Sequence, residues 1–347
     1  MQPKLCRRTF LGRVTLAAGT VSLAFSDETR SGEGTPPRVM TVLGPVHPGE
    51  LGVTLTHEHV LVDFIGADKI SRDRYRADDA FAKILPHLKR VRELGGRTLV
   101  ECTPAYLGRD PALLQRLATA SGLHLITNTG YYGAADNKFL PAHTFTESAD
   151  QLADRWLKEW RQGIDGTGVR PGFIKIGVGG DTLSDVHRKL VRAAARTHRA
   201  SGLTVASHTG PAKLALEQLE VLREEGVEAR AFVWVHAQAE SGPTVRLKVA
   251  EAGAWVSLDG YGPAETKRYV EILTALRDRG RLGQVLLSHD AGWYRPGEPE
   301  GGQFRPFDAL FKVLVPKLKE DGFSQAEIDQ VLVRNPAEAF AVRVRTR

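Results

Sequence analysis

Cysteine is almost missing from these 347 residues: only Cys6 and Cys102 occur, which excludes a small disulfide-stapled scaffold. Long apolar runs are missing too. The nearest, Val14 to Phe25, falls short of the roughly 20 residues of a membrane-spanning helix. The formal net charge is +6, but Lys4, Arg7, Arg8 and Arg13 supply four of those charges before the first acid appears. The rest of the chain is nearly balanced, so the basic footprint of a nucleic-acid-binding protein is absent. No period of roughly 20 to 50 residues recurs, which argues against a solenoid. With 42% hydrophobic and 25% charged residues, the composition is that of a folded globular protein and not of a disordered or collagen-like one.

The charges at the N-terminus have a pattern. Arg7-Arg8-Thr9-Phe10-Leu11 precedes the apolar stretch, and Ser22-Leu23-Ala24 offers a small-x-small cleavage site. Residues 1–24 therefore read as a twin-arginine export signal, which predicts a periplasmic or extracellular protein carried across the membrane already folded. The plainer reading is an amphipathic N-terminal helix. Once such a signal is removed, Cys102 has no partner for an intrachain disulfide. Residues 25–38 are polar and rich in Gly and Pro, the composition of a linker. Residues 39–347 then form a single expected domain.

Within that domain eight β-rich runs alternate with amphipathic stretches. The runs are Val53–Thr56, Thr98–Cys102, Leu123–Thr127, Phe173–Val178, Thr204–Ser207, Phe232–Val235, Trp255–Leu258 and Val285–Ser288. Between them, apolar residues at helical spacing predict helices over Pro111–Ser121, Ser148–Gly163, Pro211–Glu225, Pro243–Ala252, Ala264–Arg279 and Phe307–Glu320, and around Phe81–Leu94 and Val191–His198. This alternation predicts an α/β fold, a (β/α)8 TIM barrel closed by helices after Ser324. A doubly wound open sheet is the alternative. It lacks its usual Gly-rich fingerprint, because the first strand runs into His57-Glu58-His59.

Those histidines begin the chemistry. At i and i+2 on a strand end, His57 and His59 point to one side, into the barrel, where two imidazoles suit a divalent metal better than a core. A hydrogen-bonded pair of core histidines is the alternative. Other strand ends repeat the theme with Ser207-His208-Thr209, Val235-His236-Ala237 and Ser288-His289-Asp290. In a barrel these share the C-terminal rim, where active sites of this fold are built. Lys175 lies inside the apolar run Phe173–Val178, where burial lowers its pKa and exposes an amine able to react with carbon dioxide. The alternative is a lysine whose stem packs in the barrel while its head pairs with an acid.

Thr54-Leu55-Thr56-His57-Glu58-His59, Phe173-Ile174-Lys175-Ile176, Ser207-His208-Thr209, Val235-His236, Ser288-His289-Asp290 and the later Asn335–Phe340 resemble motifs of the phosphotriesterase family of the amidohydrolase superfamily. The resemblance spans roughly residues 40–342. It implies a binuclear site, commonly zinc, in which His57, His59 and Asp290 hold one ion and His208 and His236 the other. N6-carboxylated Lys175 and a hydroxide would bridge them. Asp290 would accept the proton of that hydroxide, and Tyr132, where the family places an aromatic residue, would stabilise the oxyanion or line the leaving-group pocket; rim packing is its alternative role. Two auxiliary positions of phosphotriesterase itself fall on Ala239 and Gly260, and the Arg that lactonase relatives place beside the strand-seven Asp is missing from Asp259-Gly260-Tyr261. Neither specialised class is therefore matched.

The expected function is metal-dependent hydrolysis of an ester, lactone or phosphotriester. Amide or imide hydrolysis, and a non-catalytic exported binding protein, are the alternatives. Expected partners are a small-molecule substrate and the twin-arginine translocation machinery, with no nucleic acid and a homodimer left open. Lys69, Arg72, Arg74 and Arg76 read as a solvated basic loop or a receiver of an anionic group, and the Gly292–Arg305 loop as a lid or pocket wall.

Overall fold

The structure is a computed structural model and describes residues 37–346. The expected export signal, residues 1–24, and all but the last two residues of the expected linker, 25–38, lie outside the described residues. No described helix is long and apolar enough to cross a membrane.

The described chain opens with an antiparallel hairpin that sequence patterning did not predict, β1 (Val39–Thr41) and β2 (Gly44–Val46). The strands β3 (Val53–Leu61), β4 (Gly96–Glu101), β5 (His124–Ile126), β6 (Asn128–Thr129), β7 (Phe173–Gly177), β8 (Val205–His208), β9 (Phe232–Val235), β10 (Trp255–Leu258), β11 (Val285–Leu287) and β12 (Gly292–Tyr294) follow. All of their pairings are parallel, in the orders β12-β3-β4-β5 and β6-β7-β8-β9-β10-β11. Only Thr127 separates β5 from β6, so the third expected strand is a broken one shared by both sheets. On the other side Thr56 Oγ1 of β3 donates to the Leu287 carbonyl of β11 at 3.0 Å. The result is an α/β, barrel-like arrangement.

Its strands are apolar on both faces because both are covered. Val100, Ile126, Phe173, Ala206, Val233 and Leu286, from six strands, fill the interior. Val39 and Leu51 pack into the same cluster, as does Phe340, whose ring stands edge-on to Phe173 at 5.5 Å. The opening hairpin and the closing helix therefore help fill that interior.

The helices lie outside the strands, each turning its apolar side inward. Ala149–Gln162 is typical: a Ser148/Gln151 capping box starts it, and Leu152, Ala153, Trp156 and Leu157 are buried. The expected helix over Phe307–Glu320 begins instead with a wide π-turn, Leu310–Leu314, before Val315–Glu320. A second π-turn, Gln330–Arg334, precedes Asn335–Ala339. Each runs up to a proline, Pro316 or Pro336. A proline has no N–H for the helical ladder and its ring collides with the carbonyl four residues back, so the preceding turn widens.

Candidate metal centre

His57, Glu58 and His59 lie inside β3 and not after it, because the strand continues to Leu61. What extends it is a second neighbour: β12 pairs with it at Gly292–His59 and Tyr294–Leu61. Gly292 has φ +93°, and a Cβ there would fall on the His59 carbonyl oxygen, so the approach requires glycine. Glu58, fully buried between the two histidines, clamps the turn after β11. Its Oε1 accepts from Ser288 Oγ at 2.7 Å, His289 N at 3.0 Å and His289 Nδ1 at 2.6 Å, and its Oε2 accepts from Ala291 N at 2.8 Å. That clamp seats Asp290, whose φ of 52° is strained for a non-glycine residue.

Asp259, at the end of β10 and fully buried, orients two imidazoles together. Its Oδ1 lies 2.7 Å from His236 Nδ1, and its Oδ2 lies 3.3 Å from His57 Nδ1. Gln238 Nε2 donates to Oδ1 at 3.1 Å. With Nδ1 of both rings engaged, Nε2 is the nitrogen each offers to a cation. Burial alone would raise the Asp259 carboxyl, but His236 and His57 hold it well below the usual carboxylate range. Burial pushes His57 down to about 4 despite that carboxylate, so the ring is neutral and its lone pair is free. At His236 the pull of burial is outweighed by Asp259, which raises it.

The structure brings His57, His236 and Asp290 together, with ligand atoms all within 4.8 Å of one another. Asp290 Oδ1 lies 3.2 Å from His59 Nε2 and 3.8 Å from His57 Nε2, yet is buried without an aligned hydrogen bond. Burial would raise this carboxyl, but the imidazoles of His59, His57 and His236 keep it ionised well below the usual range. An unpaired buried carboxylate oxygen beside imidazole nitrogens fits a divalent metal.

The remaining expected ligands stand beside this triad. Among the described residues it is the one group of histidines and acids able to hold a metal ion, which overturns the expected pair of divalent ions bridged by carboxylated Lys175. The reason is distance: no ring nitrogen of His59 or His208 joins the set of ligand atoms that all lie within 4.8 Å of one another. His59 has Nδ1 on Thr103 Oγ1 at 2.8 Å and Nε2 against Asp290. His208 turns its Nδ1 to His236 Nε2 at 2.8 Å. Lys175 is fully buried, and burial lowers the basicity of its ε-amine.

These groups floor a cavity of about 110 Å³. Its wall is apolar: Val62, Leu107, Tyr132 and Trp293 line it, and Phe139 packs behind them. Tyr132 stands edge-on to His208 at 5.0 Å, and Trp293 edge-on to His59 at 6.2 Å. Phe64, between Trp293 and Phe139, completes the rim. Burial raises the Tyr132 phenol, with Asp290 adding to the shift, so the hydroxyl stays protonated. The loop after β11 is thus a pocket wall, with Arg305 4.6 Å from the Trp293 ring centre. The basic segment after β3 does not reach this cavity. Arg72 pairs with Asp165 at 2.7 Å, Arg74 with Asp63 at 2.5 Å and Arg76 with Asp79 at 3.6 Å.

Sequence reading passed over Glu58, Asp259, Gln238 and Thr103, which position the site without facing a substrate. A signal existed for the two acids. Each sits at or in a β-rich run, where an unpaired charge is as costly as that of Lys175.

The phosphotriesterase family model matches residues 37–340. The chain belongs to the phosphotriesterase family. A phosphotriesterase homology protein of Escherichia coli (strain K12) is 32% identical over 295 residues, covering 83% of this chain and 98% of that protein. The crystal structure of the E. coli protein, complexed with phosphate in its active site, superposes with a TM-score of 0.73 at 30% identity and covers 84% of this chain and 99% of that one. An aryldialkylphosphatase of Saccharolobus solfataricus is 28% identical, over 84% of this chain and 96% of its own. An N-acetyltaurine hydrolase of Tetraodon nigroviridis is 28% identical, over 87% and 97%. With its metal-holding triad, this phosphotriesterase-family chain is a metal-dependent hydrolase of the amidohydrolase superfamily.

Proposed function

We propose that the protein hydrolyses a carboxylic amide bearing a small acyl group, so that the amide reading takes precedence over the ester reading. The observation that carries it is the cavity: a triad of His57, His236 and Asp290 beneath about 110 Å³ of mostly apolar space. That is well under the roughly 300–1,000 Å³ of a drug-sized site and suits one short acyl arm. A phosphotriester must seat three substituents around its phosphorus. The similarity to N-acetyltaurine hydrolases over most of both chains supports the same choice. The similarity to an aryldialkylphosphatase supports phosphotriester or ester hydrolysis as the second reading.

Two imidazoles and one carboxylate are a donor set suited to zinc. A divalent ion held there would supply Lewis acidity, polarising the scissile carbonyl and lowering the pKa of water near neutral pH. The rest falls to the chain. Asp259 fixes the two rings so that Nε2 of each faces the centre. His57, His236 and Asp290 would hold the ion, and the Asp290 carboxylate takes the proton from the water that attacks the carbonyl carbon. As the C–N bond breaks, that proton passes to the departing amine. Tyr132, kept protonated by burial, offers its hydroxyl to the carbonyl oxygen as negative charge develops there. Trp293, Phe64 and Leu107 exclude water from the acyl side.

Asp290→Asn is expected to lower kcat by about 10²–10⁴-fold on metal-loaded protein, because an amide cannot take the proton. The assay compares N-acetyl amides with matched aryl esters, lactones and phosphotriesters, with metal content measured for wild type and variant. A higher kcat/KM on phosphotriesters than on any amide would overturn the amide reading and leave the second.

A further inference from the structure

The loop that follows β6 is fastened from a neighbouring helix by a buried histidine that the reaction above does not use. That loop, residues 133–140, has Tyr132 just before it and Phe139 near its end, and the two rings stand edge-on at 5.8 Å. At its start Gly133 N donates to the Gly177 carbonyl at 2.9 Å. The Tyr132 ring lies over Gly177, where a Cβ would come within 2.8 Å of the ring. Glycine leaves room for the ring there and supplies no side chain to hold it. Farther on, Lys138 ties the loop to the segment after β3. Its Nζ donates to the Phe64 carbonyl at 2.6 Å, and its own carbonyl accepts from Ala67 N at 3.1 Å.

Between these ends the backbone is unfavourable. Ala135, Asp136 and Asn137 have φ of 54°, 54° and 61°, three successive non-glycine residues in the left-handed region. Such a turn persists only where surrounding groups hold it. His187 is placed to do so. It lies in the first turn of the helix Asp185–Ser201, where Ser184 Oγ accepts from its backbone N–H, and its side chain is buried. His187 Nε2 lies 3.0 Å from the Gly133 carbonyl oxygen and 3.0 Å from Asn137 Oδ1. A carbonyl can only accept, so Nε2 carries the proton and shares it between the two ends of the turn. Nδ1 is buried without a hydrogen-bond partner, so the ring makes its polar contacts through Nε2 alone.

We infer that His187 is a positioning residue for hydrolysis at the metal centre: by joining Gly133 to Asn137 it fixes the turn that sets where the Tyr132 hydroxyl points. His187 itself does not line the metal cavity. The inference rests on the role given above to Tyr132 and is independent of which acyl compound is cleaved. Releasing the turn lets the hydroxyl drift from the place where negative charge develops. An interaction made in the transition state is then lost, so kcat falls and KM does not.

The test is steady-state kinetics on the metal-loaded full chain with acetyl amides and matched aryl esters. His187→Leu removes the donor and keeps an apolar side chain of moderate size; it is expected to lower kcat about 10–100-fold with KM within about threefold. His187→Gln, whose amide nitrogen reaches the place of Nε2, is expected to return kcat to within about threefold of wild type. Metal content and circular dichroism should be the same in all three. Amide hydrogen exchange over residues 133–140 should be about tenfold faster in His187→Leu, a readout that needs no substrate. Tyr132→Phe should lower kcat, and adding His187→Leu to it should cost less than about twofold more, because the hydroxyl that His187 places is already gone. Asn137→Gly removes one acceptor at a φ that glycine adopts freely, and it carries the same readings if His187→Leu does not fold. The inference is overturned if folded, metal-loaded His187→Leu keeps kcat within about twofold of wild type, or if its loss simply multiplies with that of Tyr132→Phe. It is equally overturned if His187→Gln is no better than His187→Leu, or if exchange over residues 133–140 is unchanged. Full activity of Tyr132→Phe would overturn the role of Tyr132 together with this inference, whereas a loss in Tyr132→Phe with none in His187→Leu overturns the inference alone.

Discussion

Asp259 touches neither solvent nor the cavity, yet it decides which nitrogen of His57 and His236 faces the cation. A carboxylate behind a metal-binding imidazole fixes both tautomer and ring angle. Asp259→Asn keeps the size but loses the charge, and its amide can donate where an acceptor is needed. Metal affinity should fall about 10–100-fold, read by competition with a chelator, while the circular dichroism spectrum stays unchanged. Glu58 does the corresponding work on the other side by holding residues 288–291. Both are acids in apolar surroundings, where an ionised group persists only if its partners are in place.

At the scale of elements, the site depends on β12 lying against β3. Gly292 lets that approach happen. Gly292→Ala combines an unfavourable φ with a collision against the His59 backbone, so it should cost on the order of 2 kcal/mol or more. The cost appears as a lowered melting temperature, with activity lost alongside because Asp290 is two residues away. The end of β4 carries a pH-dependent element. Burial pushes the Glu101 carboxyl up to about 7, although His59 and Thr103 pull the other way. The folded protein therefore holds this proton more tightly than the unfolded chain does. That contribution is complete below the unfolded value of about 4.5 and is lost as pH rises through about 7, a change on the order of 3 kcal/mol. Urea midpoints across that window should fall for the wild type and stay flatter for Glu101→Gln.

For the whole molecule, the barrel-like closure brings residues from β3, β7, β8, β9 and the turn after β11 to one cavity. Residues 1–24 lie outside the described residues, and we propose that they direct export through the twin-arginine route. Replacing Arg7 and Arg8 with Lys keeps the charge but removes the pair a receptor reads, so export should stop. Immunoblots of periplasmic and cytoplasmic fractions would show it. Equal periplasmic amounts of variant and wild type would remove the signal reading.

The strands were legible because their residues are apolar on both faces and bounded by glycines and polar turns; β9 and β10 begin and end where the sequence pattern places them. The histidines and Asp290 were legible because polar groups at successive strand ends have no place in a core. Other features belong to the tertiary structure. The extension of β3 required a partner strand distant in sequence, and both π-turns answer to a proline together with the packing around it. Which imidazole nitrogens remain free depends on Asp259 and on the mutual hydrogen bond of His208 and His236. Periodicity reports which side of an element is buried, whereas the partners of a buried polar atom come from remote parts of the chain and exist only once it has folded.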